Sequence, residues 1–102
     1  MMSNEEYVKT IADELEQKGA AVFFGDEGEN DIYDIEYSAD AQLNFLGARA
    51  AIAIGGPNVY VDSRAGIVDL YWGTEEARAF LSDDCKSDVD TYFREIYQML
   101  RG

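Results

Sequence analysis

Val59-Tyr60-Val61-Asp62-Ser63-Arg64-Ala65-Gly66-Ile67-Val68-Asp69-Leu70-Tyr71-Trp72 is the stretch that decides the fold. Two runs rich in β-branched and aromatic residues, Val59–Val61 and Ile67–Trp72, flank a cluster of turn formers, Asp62–Gly66. In the second run Val68, Leu70 and Trp72 share one face, and Asp69 and Tyr71 share the other; period two marks a half-exposed strand. The alternation expects Tyr71-Trp72 to be a strand end packed into the core. Upstream, Gly55-Gly56-Pro57-Asn58 is a second turn signal. Before it, Leu43–Ile54 reads as another strand, with Gly47 at a bulge. Connections this short join antiparallel neighbours, so residues 41–73 read as a strand meander.

Further out, Asp31–Tyr37 also alternates, with Tyr33, Ile35 and Tyr37 on one face and Ile32, Asp34 and Glu36 on the other. Ala20–Phe24 is a short apolar run that reads as a buried strand. With Gly25–Asn30 as a turn, the two form an expected hairpin with an acidic tip. Ahead of it lies a helix, Asn4–Lys18. Ser3 and Glu6 form a capping box, Val8, Ile11, Ala12 and Leu15 form one helical stripe, and Gly19 supplies the stop. Past Trp72, Gly73-Thr74 closes the sheet region. Thr74 then reads as the N-cap of a short helix, Glu75–Leu81, with Glu75 and Glu76 favourably placed in its first turn. Ser82–Lys86 reads as a polar link, and Ser87 as the cap of a last helix, Asp88 to Leu100. The expected architecture is α+β: a single four- to five-stranded antiparallel sheet with an N-terminal helix and two C-terminal helices, in the order α-β-β-β-β-β-α-α. The helices pack on one face, and residues 1–102 form a single domain.

Charge is distributed unevenly. The net charge of −13 divides into about −3 over residues 1–25, −7 over 26–40, 0 over 41–73 and −3 over 74–102. Asp26, Glu27, Glu29, Asp31, Asp34, Glu36 and Asp40 fall in the second segment with no base among them. At 47% hydrophobic residues the chain can bury a core despite this charge, so disorder is not expected. Nucleic acid and anionic membranes would both repel such a surface, which argues against either as a direct partner. No signal peptide or membrane span is read, and one cysteine, Cys85, cannot make an internal disulfide; the expected compartment is the cytoplasm.

The residues that carry most chemistry are absent. With no histidine, Ser/His/Asp and Cys/His arrangements are impossible and the commonest metal ligand is missing. Carboxylates beside Cys85 should raise its pKa and blunt it. Set against a calcium-binding helix–loop–helix, Asp26 and Asn30 match the first and fifth loop positions. Gly28, Asp31 and Tyr37 depart from the third, sixth and twelfth. Gly55-Gly56-Pro57 lacks the Lys-Ser/Thr of a phosphate loop. The expectation is a non-catalytic protein with no cofactor and no metal.

What stands out is a row of acids. Alternate strand residues point the same way, roughly 6.6 Å apart, so Asp34 and Glu36 project together with Asp31 and the loop acids extending the row. Such a row loosely imitates phosphates, and a protein built to bind phosphates offers lysines and arginines to meet it. Asp26, Glu27, Glu29, Asp31, Asp34 and Glu36 form the expected contact set. Asp83, Asp84, Asp88 and Asp90 make a secondary patch, and Tyr33 and Tyr37 are either core or aromatic anchors beside the acids. In length, charge, lack of histidine and the stretch Gly25–Glu36, the chain resembles the small acidic inhibitors of phages and mobile elements, the anti-CRISPR and anti-restriction DNA mimics. The resemblance implies a protein of the bacterial host cytoplasm that binds a CRISPR effector or restriction enzyme and blocks its access to nucleic acid. Two other readings stand beside it: an immunity protein or antitoxin that caps a basic nuclease, and a small structural or assembly module whose acids serve solubility. The sequence leaves the oligomeric state open.

Overall fold

Each strand of the sheet is tied to the next by a tight connection, and the strands accordingly pair in sequence order. The computed structural model describes residues 2–25 and 30–102. The elements are α1 (Asn4–Lys18), α2 (Ala20–Phe24), β1 (Asp34–Ala39), β2 (Phe45–Ala53), β3 (Asn58–Asp62), β4 (Ile67–Trp72), β5 (Glu75–Phe80) and α3 (Asp83–Arg101). The sheet order is β1-β2-β3-β4-β5, antiparallel throughout. The fold is α+β, as the sequence implied, although three elements differ from their expected form.

Helix α1 has the expected bounds. Its first turn is closed by Ser3, whose hydroxyl oxygen accepts from the Glu6 N–H at 3.2 Å. Its end is closed by Gly19, at φ 82°, whose N–H donates to the Leu15 carbonyl at 2.9 Å. Ala20–Phe24 is a helical turn rather than a strand. Phe23 and Phe24 are both buried, and consecutive residues of a strand would point to opposite faces. In the helical turn both rings reach the core and meet edge to face at a centroid distance of 4.7 Å. The expected hairpin between residues 20–24 and 31–37 therefore does not exist; its tip, Asp26–Glu29, lies outside the described residues, and β1 is an edge strand paired with β2.

The expected short helix Glu75–Leu81 is strand β5. Gly73, at φ +62°, and Thr74 make a two-residue hairpin turn that sets Trp72 opposite Glu75. Glu, Ala and Arg favour helix intrinsically, but pairing with β4 overrides that weak preference. The last helix starts at Asp83, five residues before the expected Asp88. Its cap is Ser82, whose hydroxyl accepts from the Cys85 N–H at 3.1 Å, and not Ser87.

Pairing register defines two sheet faces. Ile35, Tyr37, Ala48, Ala50, Val59, Val61, Val68, Leu70, Ala77 and Ala79 lie on one. They pack against Val8, Ile11, Ala12 and Leu15 of α1, Phe23 and Phe24 of α2, and Val89 and Phe93 of α3. Helix α1 covers β4 and β5, and α3 covers β2. Among the described residues no helix lies on the other face. Near one end of β2, Ser38 pairs with Gly47 and Ala39 with Phe45, leaving Leu46 as the extra residue of a bulge. A Cβ on Gly47 would sit 2.4 Å from the Arg64 Cβ, so the glycine is required by that close approach. Trp72, expected in the core, is 54% exposed at the sheet end, beside Met2 and Asn4. No described helix is long and apolar enough to cross a membrane.

Candidate protein-binding face

The helix-free face is built from two cross-strand rows. One runs Asp34, Ala51, Tyr60, Asp69, Arg78, and the other Glu36, Arg49, Asp62, Ile67, Phe80. Asn58, Tyr71 and Glu76 flank them in a third. At the centre Arg49 donates from Nη1 to Asp69 at 2.9 Å and Asp62 at 3.2 Å. Its guanidinium carbon stands 4.3 Å from the Tyr60 ring centroid and 5.9 Å from that of Tyr71, close enough for cation–π attraction. From the other side Arg78 Nε donates to Asp69 at 2.7 Å. Asp69, only 3% exposed, is thus clamped between two arginines. Burial opposes the charge on Arg49, but hydrogen bonds and attraction from Asp69 and Asp62 outweigh it and hold its pKa above the usual arginine value. The hydrogen bond to Asp69 does the same for Arg78.

Beside this clamp a shallow depression of about 300 Å³ is lined by Asp34, Glu36, Arg49, Ala51, Asn58, Tyr60 and Tyr71. Asp34 and Glu36 are exposed, on the face opposite Ile35 and Tyr37, as the alternation predicted. Five carboxylates (Asp34, Glu36, Asp62, Asp69, Glu76) meet three guanidiniums on this face, those of Arg49 and Arg78 and that of Arg64 at its border, so it stays negative after the internal pairing.

The other expected site residues divide by what they touch. Asp31 is exposed just ahead of β1, and Asp83 and Asp84 are exposed at the start of α3. Asp88 is exposed but engaged: its carboxylate accepts from the Ala20 N–H at 2.7 Å and holds α2 against α3. Asp90 accepts from the Ser63 hydroxyl at 3.0 Å and pairs with Arg94 at 3.0 Å. Of the secondary patch, Asp83, Asp84 and Asp88 are exposed, and Asp90 is partly buried in its pair with Arg94. Asp40 accepts from the N–H groups of Gln42 and Asn44, both at 2.9 Å; chiefly the bond from Asn44 holds its carboxyl below the usual range. Tyr37 is a packing residue and not an anchor, its ring 5.5 Å from that of Tyr97 and its pKa raised by burial. Tyr33 is 62% exposed just ahead of β1. Asp26, Glu27 and Glu29 lie outside the described residues. Exposed acids also line α1 (Glu5, Glu6, Asp13, Glu16) and α3 (Glu95), so the negative surface is not confined to one side.

Among the described residues no group of three or more metal-ligating side chains could hold an ion. Cys85 is buried, and burial first, then the Glu16 carboxylate, pushes its thiol pKa up to about 12. Folding therefore retains a proton that the unfolded chain loses near pH 9, so stability falls as pH rises from about 9 toward 12. At pH 8 a thiol-specific disulfide reagent is expected to leave Cys85 unmodified in the native protein and to modify it fully in denaturant; equal rates in the two states would contradict the burial. No family model matches the chain. No curated protein and no solved structure matches it either.

Proposed function

We propose that this protein is a non-catalytic inhibitor that docks its helix-free sheet face on the basic nucleic-acid-binding channel of a CRISPR effector or another nuclease. The observation that carries this reading is the exposed pair Asp34 and Glu36, on an edge strand at the rim of a face that no described helix crosses. A duplex-binding channel is lined with lysines and arginines at phosphate spacing, and carboxylates repeating roughly every 6.6 Å along a strand offer matching acceptors. The Arg49–Asp69–Arg78 clamp ties β2, β4 and β5 together beneath that rim. Exposed acids elsewhere on the molecule add to the long-range field that speeds encounter with a positive partner.

Replacing both rim acids, Asp34→Lys with Glu36→Lys, is expected to lower the association rate and to weaken inhibition by on the order of tenfold or more at low salt. Both side chains are exposed, but Glu36 faces Arg49 across the strands, so the double change should cost no more than about 1 kcal/mol of stability. The measurement is DNA cleavage by purified effectors and nucleases titrated with each protein. Undiminished inhibition by the double variant would reject the assignment.

A further inference from the structure

We infer that strand β5 is a self-pairing edge, through which two copies of this chain join into one ten-stranded antiparallel sheet. The sheet has two unpaired borders, β1 and β5. They are not equivalent. On β1 the outer face carries Asp34 and Glu36, and the strand is interrupted by the Leu46 bulge of its neighbour, so a second β1 would meet like charges and a distorted ladder. On β5 the outer face carries Glu76, Arg78 and Phe80, alternating in sign and ending in a ring that is 76% exposed.

Backbone geometry selects which β5 residues could pair with a partner. The Leu81 N–H donates to the Gly66 carbonyl at 2.9 Å, in the same register that sets Ile67 opposite Phe80. In an antiparallel ladder hydrogen-bonded pairs alternate with non-bonded ones. Glu75, Ala77 and Ala79 therefore turn their N–H and C=O groups toward β4. Glu76, Arg78 and Phe80 turn theirs outward, toward the unpaired border. A two-fold axis at that border must set these outward residues opposite one another. Centring it on Glu76 opposes two glutamates, and centring it on Arg78 opposes two arginines; both are disfavoured. Centring it on Ala77 sets Glu76 opposite Arg78 of the second copy, and Arg78 opposite Glu76. Each opposed pair exchanges two backbone hydrogen bonds, giving four in all, with opposite charges facing each other twice. The Nε of Arg78 is held by Asp69, and the two terminal nitrogens of its guanidinium carry four further donors. The same axis brings Phe80 over the Gly73-Thr74 turn of the second copy and leaves both helix layers on one side of the joined sheet. The contact is isologous and closed, so it ends at two copies.

Sedimentation velocity across a concentration series at 0.15 M salt tests this. The wild-type mass should rise from 11.4 kDa toward twice that value. Glu76→Arg changes an exposed side chain and leaves the Asp69–Arg78 bond in place; it should hold the chain at 11.4 kDa at every concentration, with an unchanged circular dichroism spectrum. Arg78→Glu alone should also be monomeric, while an equimolar mixture of the two variants should regain the double mass, because each arginine then faces a glutamate. If Arg78→Glu fails to fold, the comparison of wild type with Glu76→Arg decides. A wild type that stays monomeric at all concentrations, a Glu76→Arg variant that dimerises as readily as wild type, or two folded variants that do not associate on mixing would each overturn the inference. None of these outcomes depends on the inhibitor reading.

Discussion

Arg49→Met is expected to cost about 3 kcal/mol of folding stability, because it leaves the carboxylate of Asp69 buried with half its compensation gone. Asp69 is 3% exposed, and its oxygens are divided between Arg49 at 2.9 Å and Arg78 at 2.7 Å. Removing Arg49 also takes away the cation stacked on Tyr60. The opposite change should be milder. Asp69→Leu leaves two guanidiniums whose side chains are 28% and 51% exposed and can turn to water, so its cost should be about half as large. The double variant Arg49→Met/Asp69→Leu should be more stable than Arg49→Met alone, since no uncompensated buried charge remains. Urea denaturation of the four proteins measures this coupling. Strict additivity of the two changes would show that the clamp does not act as a unit.

Phe93→Ala is expected to cost more, about 4 kcal/mol. Phe93 is fully buried, and its ring lies 5.0 Å from that of Phe24 and 5.3 Å from that of Tyr92. It sits where α3 meets α2, and the aromatic cluster around it leaves few small side chains able to collapse into the space of a lost ring. Domains of this size are stable by only about 5–15 kcal/mol, so the variant should melt roughly 15 °C or more below wild type and lie close to unfolding at 37 °C. Phe80→Ala is the control. With 76% of its surface exposed, Phe80 should change stability by no more than about 0.5 kcal/mol in the dilute monomer. A Phe93→Ala cost below about 1.5 kcal/mol would mean that α3 is held mainly by other contacts.

The elements legible in the sequence were those whose period is written in side chains of contrasting polarity. Helix α1 shows its stripe and both caps, and β3 and β4 show β-branched runs between turn residues. Ala20–Phe24 and Glu75–Phe80 depart from the expected elements for opposite reasons. Five apolar residues in a row carry no period, and only burial of two adjacent phenylalanines distinguishes a helical turn from a strand there. In Glu75–Phe80 the core-facing residues are alanines, too small to mark a period against helix-favouring neighbours. Ser82 and Ser87 are both competent caps, and packing of Cys85 against the core selects the earlier one. The rim acids Asp34 and Glu36 were readable because they alternate with Ile35 and Tyr37. The clamp was not. Arg49, Asp62 and Asp69 lie in a segment whose net charge is zero, and only the register of β2, β3 and β4 brings them together. The structural bonds of Asp88 and Asp90 are not legible because their partners, the Ala20 N–H and Ser63, are distant in sequence.

The central claim is that the exposed carboxylates of the sheet face take the place of nucleic acid on a basic partner. Competition between the two measures this most directly. A purified nuclease bound to immobilised wild-type protein at low salt should be released by duplex DNA in proportion to DNA concentration, and should not be retained by the Asp34→Lys/Glu36→Lys variant. Retention that is indifferent to DNA, or equal on wild type and variant, would contradict it.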